Sequence, residues 1–473
     1  MFVSKMYKMF DLVVIGDGSV GSYTAWRGVQ EGLNVALIGN SDRSASLAAG
    51  AMNAVFGEVE HGFELNILHK EIFEAGLYSR EKWMAYISQY MVNKAIVAED
   101  TEIFLKNKAS DFEIENYSEM KRIADMYGVI DHTRVKIAAK KLEDVIRLKG
   151  EFGFDPILLL KSIIFNAKNK GLVVFQDSVQ SIQDHGSKLV LLYTVGGFEL
   201  LAKKVVIAAG AFSSKIGMPK EWNTVPIFPG VGTAIRFKGR HSEKEINETV
   251  IRSVNRGGAQ CGVHCVPTPN GVYVGAGNYL TTSLDAGYKP ETIRYLTSES
   301  GKDILGDKYT YTNQAEFTIG YRPRSLDGYP VVGKVSGDER VYYATGFNRI
   351  GYTIAPYVAD LIINEIAGLG LMGIKTPQSW NPTRNLHTFG NLQDATEYYV
   401  NSRLANMYEH GQINLNDSES VNSHKAHLIN VVKLINKQAV KASGYSQDFV
   451  FDPDVYPYLI NTYNLQTIEF KNT

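Results

Sequence analysis

The chain has 473 residues, 44% of them hydrophobic, with 49 Lys and Arg against 50 Asp and Glu and a formal net charge of -1. That length can bury a large core and predicts two or three domains rather than one. The balanced charge excludes the basic field of a nucleic-acid or anionic-membrane binder, which leaves small molecules as the expected partners.

The opening segment MFVSKMYKMF has lysines but no apolar stretch, and no later run, such as 156–165 or 205–212, approaches a membrane span. Neither a signal peptide nor a transmembrane helix is expected. Residues 11–38 predict strand, turn, helix and strand: LVVIG, a glycine-rich turn, a helix over 22–31 with Gly32 as C-cap, then NVALI. The turn Gly16-Asp17-Gly18-Ser19-Val20-Gly21 has G-x-G-x-x-G spacing, in which glycines permit a tight turn, close approach of backbone to a pyrophosphate and close helix packing. The spacing alone is weakly selective. With a strand before it and a helix after it, backbone N–H groups would face an anion, so a dinucleotide is expected rather than a plain βα turn. The acid that usually holds a ribose hydroxyl at the end of the second strand is missing, because Gly39 stands there, followed by Asn40. Asn40 or the nearby Asp42 takes that contact, or both are ordinary turn residues.

Residues 44–52, SASLAAGAM, are small enough to let backbone approach a bulky planar ligand. From 63 to 148 the pattern is mainly helical, with AIVAEDTEIFL as a strand pair and no chemistry-bearing motif, as in a scaffold or cap. A helix over 156–169, strands over 173–176 and 189–195, and the apolar run 204–209 before Gly210 return to α/β character. Between 218 and 307 strand-like stretches are punctuated by Pro226, Pro229, Gly230, Gly257, Gly258, Pro267, Pro269 and Gly275, as in a mostly antiparallel substrate domain. Cys261 and Cys265 lie there, too few for a disulfide framework and without a second Cys/His pair to complete a zinc site. No metal is therefore expected, and a reducing cytoplasm suits the chain. The nucleotide domain resumes over 317–369 and ends in a helix predicted to start near Pro356, a residue suited to a first helical turn. After Gly370 the composition turns Asn-, Ser- and Tyr-rich, with an amphipathic helix over 424–441 whose apolar face is Leu428, Val431, Val432, Ile435 and Ala439. That face must be covered by the catalytic body, a second copy or another partner.

Several stretches together carry a specific resemblance: ASLAAGAM, the helix opened by Asp155-Pro156, VVIAAGAFSS (205–214), and above all GYRPRSLDGYPVVG (320–333) followed by YYATGFNRIGYTIAP (342–356). In that order they are similar to glycine oxidase and its relatives in the D-amino-acid oxidase family. The resemblance spans roughly residues 11–366, and the last two motifs are far more selective than the first glycines. It implies an α/β fold: a doubly wound, Rossmann-like FAD-binding domain assembled from three separated segments (1–62, 149–217 and 311–370), interrupted by a helical cap segment (63–148) and a mostly antiparallel β substrate domain (218–310). A C-terminal helical extension (371–473) follows. Relatives that attach FAD covalently carry W-H-A-A-G, whereas Leu47 stands at that histidine, so non-covalent FAD is expected. At the cofactor the resemblance places Gly16, Gly18, Ser19, Val20, Gly21, Asn40, Ser46, Ala48, Ala49, Gly50, Met52, Val179, Gly210, Gly346, Gly351, Tyr352 and Thr353.

The activity it implies is oxidation of the C–N bond of an amino or imino acid. Hydride leaves the α-carbon of a neutral amine for the flavin, water hydrolyses the imine, and electrons pass to oxygen or another acceptor. No protein general base is required if the amine binds uncharged. Arg322 is expected to hold the substrate carboxylate, since a planar guanidinium makes two parallel charge-assisted hydrogen bonds. The same residues also read as a plain β-hairpin, with Pro323 keeping Arg322 extended, a tight turn at Asp327-Gly328 and Arg322 in a structural ion pair. Gly351 and Thr353 precede the last helix, whose N-terminus would stabilise negative charge on the cofactor. Arg349 stands where glycine oxidase has an arginine near the substrate carboxylate; it assists Arg322 or makes a surface ion pair. His264 stands about where these relatives have a carboxylate-binding tyrosine, so it meets substrate or is a structural strand histidine. Tyr273 falls about where monomeric sarcosine oxidases have an oxygen-activating lysine, so rapid reaction with oxygen is not implied. A G-D-x-x-H-x-x-P stretch, usual in aromatic-ring hydroxylases, is absent from the sequence. Two other readings stay open: dehydrogenation of a larger or carrier-bound amine in a biosynthetic pathway, and a non-catalytic electron-transfer subunit docked through the extension.

Overall fold

The computed structural model describes residues 8–40, 44–107, 109–132, 142–186, 188–222, 224–238, 249–257, 262–269, 271–300, 304, 314–370, 374–409, 413–414, 416–446 and 448–465. Asp42, Gly258 and Cys261 lie outside them. In chain order the strands are β1 (Lys8–Ile15), β2 (Val35–Gly39), β3 (Ile96–Lys106), β4 (Ile130–Asp131), β5 (Leu142–Phe154), β6 (Val173–Gln176), β7 (Val179–Asp184), β8 (Val190–Thr194), β9 (Glu199–Ile207), β10 (Ile227–Lys238), β11 (Thr249–Ser253), β12 (His264–Thr268), β13 (Gly271–Leu280), β14 (Ala315–Ser325), β15 (Val331–Lys334) and β16 (Val341–Thr345). The longer helices are α1 (Ser19–Gln30), α2 (Ile67–Tyr90), α3 (Asp111–Met126), α4 (Pro156–Lys168), α5 (Gly351–Ile366), α6 (Leu392–Glu409), α7 (Ser418–Ser443) and α8 (Tyr456–Tyr463).

Among the described residues the strands form two eight-stranded sheets. The first runs β15-β16-β9-β1-β2-β6, with β8 pairing β9 and β7. Its centre is parallel: Ile15 of β1 is in register with Ile38 of β2 and Ile207 of β9. Strands covered on both faces read as unbroken apolar runs, and every residue of β2 is buried. The second sheet runs β14-β10-β13-β12-β11-β3-β5-β4. It is antiparallel apart from the β11–β3 pair. The chain leaves the first sheet after β2, returns for β6 to β9, leaves again for β10 to β14 and closes it with β15 and β16. The expected doubly wound α/β architecture with a mostly antiparallel second sheet is thus the one found.

Several local expectations need correction. Helix α1 begins at Ser19, three residues earlier than predicted, because Gly18 itself serves as N-cap. Residues 96–106 form one continuous strand rather than a pair, held by β5 on one side and β11 on the other. β5 itself occupies the end of the stretch read as mainly helical. Asp327 and Gly328 do make a turn, with Gly328 at φ +85° and its N–H donating to Ser325 O at 3.0 Å. The flanking strands form no hairpin, since β14 belongs to the second sheet and β15 to the first.

Pro356 lies inside α5 rather than at its start. A proline there leaves the Tyr352 carbonyl without its helical donor and disturbs the turn around it. The indole N–H of Trp83 donates to that carbonyl at 2.7 Å, and Ser79 Oγ accepts the N–H of Tyr357 at 3.1 Å. Helix α2 therefore supplies what the proline removes, and α5 starts at Gly351.

After Gly370 the chain packs back onto the body. Val432, Ile435 and Ala439 of α7 are buried. Ile435 and Ala439 share a core with Phe449, Phe451, Leu459, Val225 and Phe228. Leu428 packs instead beside Val400 and Leu404 of α6. A buried ion pair joins Arg384 to Asp327 at 2.7 Å, with side chains only 4% and 0% exposed. Among the described residues no helix is long and apolar enough to cross a membrane.

Candidate active site

A cavity of about 520 Å³ opens at the carboxyl ends of β1, β2 and β9, and its other wall comes from the second sheet. In open parallel sheets that is where ligands sit, beside the strand from which the order departs in both directions.

The glycine-rich turn forms one end. Gly16 has φ +110°, and a β-carbon on it would stand 2.3 Å from Ala208 O, so only glycine fits. A β-carbon on Gly21 would stand 1.9 Å from Gly16 O, so this glycine sets the contact of helix and strand rather than facing the cavity. Gly18, as N-cap, offers no side chain to the first-turn N–H groups of α1. Ser46 Oγ accepts the Ser19 N–H at 3.0 Å, which ties the second small-residue motif to the first. The backbone cradle and helix N-terminus suit a pyrophosphate. Beside them Asn40 Nδ2 donates to Ser178 Oγ at 2.7 Å, and Ser178 and Val179 line the same wall.

The start of α5 forms another wall through Gly351, Tyr352 and Thr353. The Tyr352 hydroxyl donates to Ser46 O at 3.1 Å, and Thr353 Oγ1 donates to Ala54 O at 3.3 Å, so this helix end is fixed against 44–54. Burial holds the Tyr352 phenol protonated, well above its usual range. Opposite, a β-carbon on Gly50 would stand 3.0 Å from Val266 and 3.1 Å from both His264 and Tyr273, which places that backbone directly against the second sheet.

The polar end is built on strands. Arg322 on β14 lines the cavity, and its Nη1 is buried with no hydrogen-bond partner among the described residues. His264 on β12 is 4% exposed, and its Nδ1 lies 3.1 Å from Gly262 O. Its ring centroid is 5.7 Å from that of Tyr273. Tyr273 donates its hydroxyl to Ala48 O at 2.9 Å. Arg349 makes no surface pair: its Nε donates to Glu58, its Nη2 to Asn255 Oδ1 at 2.6 Å. Arg252 Nη1 holds the other oxygen of Glu58 at 2.9 Å. Burial pushes the Glu58 carboxyl up, but Arg349 and Arg252 more than offset that and leave it below the ordinary glutamate value. Glu60 lies 3.6 Å from Arg349 Nη2 and accepts the Tyr398 hydroxyl of α6 at 2.6 Å, so the extension reaches the back of this wall.

The cavity brings together Gly16, Gly18, Ser19, Val20, Asn40, Ser46, Ala49, Gly50, Met52, Val179, Gly210, Gly351, Tyr352 and Thr353 with Arg322, Arg349 and His264. Gly21, Ala48 and Gly346 stand behind its surface. Ala48 contributes the carbonyl that Tyr273 binds, and Gly346, at φ +78°, turns the chain after β16. Sequence reasoning missed Glu58, Arg252 and Asp177, all on the wall. No spacing marks them; the only signal was a charge in an otherwise apolar stretch, as in VIRS. Cys265 is buried and free, and burial raises its thiol far above the usual range, so it serves as a small core residue.

A family model described as "FAD dependent oxidoreductase" matches residues 11–365. The chain is 22% identical over 415 residues to the D-amino acid dehydrogenase of Vibrio vulnificus (strain CMCP6), covering 75% of this chain and 95% of that protein. To the glycine oxidase of Bacillus subtilis (strain 168) it is 22% identical over 381 residues, covering 76% and 95%. Its fold is similar to the crystal structure of glycine oxidase from Geobacillus kaustophilus, with a TM-score of 0.67 at 17% identity over 80% of this chain and 100% of that one.

Proposed function

Since this chain belongs to the FAD-dependent oxidoreductase family, we propose that it oxidises the C–N bond of an amino or imino acid whose carboxylate is held by Arg322. When bound, FAD supplies the hydride acceptor. The glycine turn at 16–21 and the first-turn N–H groups of α1 would hold its pyrophosphate without a covalent link, Leu47 having no nucleophilic atom. Gly351, Tyr352 and Thr353 would present the positive end of α5 to negative charge.

The observation that carries this reading is the buried, unpartnered Nη1 of Arg322 on the cavity wall. A substrate carboxylate that leaves water needs replacement hydrogen bonds, and a guanidinium fork returns two of them in a fixed plane. Glu58 binds Nε of Arg349 and Nη1 of Arg252, and Asn255 takes Nη2 of Arg349, so these groups stiffen the wall and leave Arg322 as the anchor. His264, oriented through Gly262 O, would face the rest of the substrate. Binding the amine uncharged leaves no proton for a protein base to remove, and the imine is hydrolysed by water. Electrons leave to oxygen or another acceptor.

The test is anaerobic. Purified holoprotein is mixed with amino acids, imino acids and the corresponding amines lacking the carboxylate, and loss of flavin absorbance is followed. Bleaching confined to carboxylated compounds is the expected result. Equal bleaching by the decarboxylated amines, or none by any of them, overturns the proposal.

A further inference from the structure

The end of β2 lacks the acid that dinucleotide folds use to hold a ribose. Two adjacent hydroxyls there are best met by a carboxylate, which offers two acceptor oxygens to two donors. Gly39 offers no side chain at all. The structure also shows why none could stand there: a β-carbon on Gly39 would lie 2.4 Å from Asp17 Cγ and 2.7 Å from Asp17 Oδ1. The carboxylate of Asp17, the first variable residue of the glycine turn, thus occupies the space that a strand-end side chain would fill.

The backbone of the turn that carries it is fixed on two sides. Gly16 N donates to Ile38 O at 2.7 Å, which fastens the turn to the end of β2. The Asp17 carbonyl accepts the Ser22 hydroxyl at 2.8 Å, which fastens it to α1. Asp17, Gly39, Asn40 and Ser178 all line the same cavity. A carboxylate thus stands on the adjoining turn, beside the strand end where Gly39 has none.

We propose that Asp17 supplies the carboxylate that binds the ribose hydroxyls in the adenosine half of FAD, in place of the strand-end acid that Gly39 lacks. This rests on the assignment of FAD to this cavity, and Asp17 acts in binding and not in chemistry.

The full-length chain, dialysed free of flavin, is titrated with FAD by fluorescence quenching, and FAD is then displaced with ADP or with 2',3'-dideoxy-ADP. Wild type should bind ADP about tenfold or more tighter than the dideoxy compound, the size of a charge-assisted hydrogen-bonded contact. Asp17→Ala should lose that preference and bind FAD about tenfold or more weaker, and Asp17→Asn, which keeps the shape, should lose most of it. Gly39→Ala, which drives a methyl group into the Asp17 carboxylate, should act likewise. Putting the acid back at the strand end, with Gly39→Glu in an Asp17→Gly chain that also removes the Asp17 β-carbon 2.7 Å away, should restore the preference for ADP. Circular dichroism of each flavin-free variant separates lost binding from lost folding. Equal ADP and dideoxy-ADP affinities in wild type, or an unchanged preference in folded Asp17→Asn and Asp17→Ala, overturn the proposal while FAD binding stands. A wild-type chain that binds no FAD overturns both.

Discussion

The guanidinium of Arg322 lies over Gly232 of the neighbouring strand: a β-carbon at Gly232 would stand 2.8 Å from both Cζ and Nη2. In the ladder Arg322 pairs with Gly230, so its side chain reaches diagonally back across the strand toward the cavity. Gly232→Ala should displace the guanidinium at little cost in stability, because the group that must move is the end of a long side chain. Flavin reduction by a carboxylated amine should fall about tenfold or more, as misplacement at a reacting centre does. Arg322→Lys should reduce faster than Arg322→Ala, which loses on the order of 2–5 kcal/mol. Rapid-mixing rates with FAD content held constant check this, and wild-type rates in both Gly232→Ala and Arg322→Ala would make Arg322 structural.

The protein should be yellow as purified and should release its flavin on acid precipitation, because Leu47 stands where covalently flavinylated relatives have histidine. Absorbance of the washed precipitate is the measurement; colour that stays with the protein counts against non-covalent FAD.

Arg384 and Asp327 link the extension to the body through a buried ion pair, with side chains 4% and 0% exposed. Removing one partner leaves the other charge buried and uncompensated, which costs about 3–5 kcal/mol. Arg384→Met should therefore lower urea-unfolding stability by that order and speed proteolytic loss of residues after 370. A change under about 1 kcal/mol, with unchanged proteolysis, would show that the extension is held elsewhere.

Glu58 gives a pH dependence whose sign is fixed by its lowered carboxyl. Burial alone would raise it, but Arg349 and Arg252 hold it below the ordinary value of 4.5. Its contribution to stability is present above that unfolded-state value and is lost as pH falls through the lower folded value. Wild type should therefore exceed Glu58→Gln in stability at neutral pH, and the gap should close as the solution is acidified below 4.5. Denaturant titrations of both proteins across that range provide the check, and a gap that widens on acidification refutes the assignment.

Trp83 and Pro356 should be energetically coupled. Trp83→Phe strips the donor from the Tyr352 carbonyl and should cost about 1–3 kcal/mol. In a Pro356→Ala background the helix regains its own N–H at that point, so the same change should cost less. Additive effects in this double-mutant cycle would mean that the indole matters only as bulk.

What was legible in the sequence is what short-range chemistry dictates. Gly16 and Gly21 mark the turn because no other residue fits there, and Arg322 stands in a motif whose selectivity comes from the family. The start of α5 was misread because the side chains that rescue Pro356, Trp83 as donor and Ser79 as acceptor, lie more than 250 residues earlier in the chain. Glu58 and Arg252 were opaque for a related reason, and Arg349, although in view as a candidate, gave no sign of its pairing with Glu58. Nothing in any of these segments marks the others, and only the fold brings them together as buried pairs. Asp17 was in view as a variable position of the glycine motif, but its relation to Gly39 is a matter of space between two strand ends that no periodicity encodes.

The order of strands in the first sheet also sets when the cofactor can be taken up. β1, which carries the glycine turn, is bordered by β9, and β9 in turn by β16, so the sheet is complete only when residues up to Thr345 are available. The helix end at Gly351, Tyr352 and Thr353 follows immediately, and pairings that join such distant segments form slowly. A nascent chain halted after β9 would own the glycine turn without the strand that closes the sheet on that side or the helix end opposite. Flavin loading therefore requires the chain through Thr353, and the glycine turn alone does not make the site.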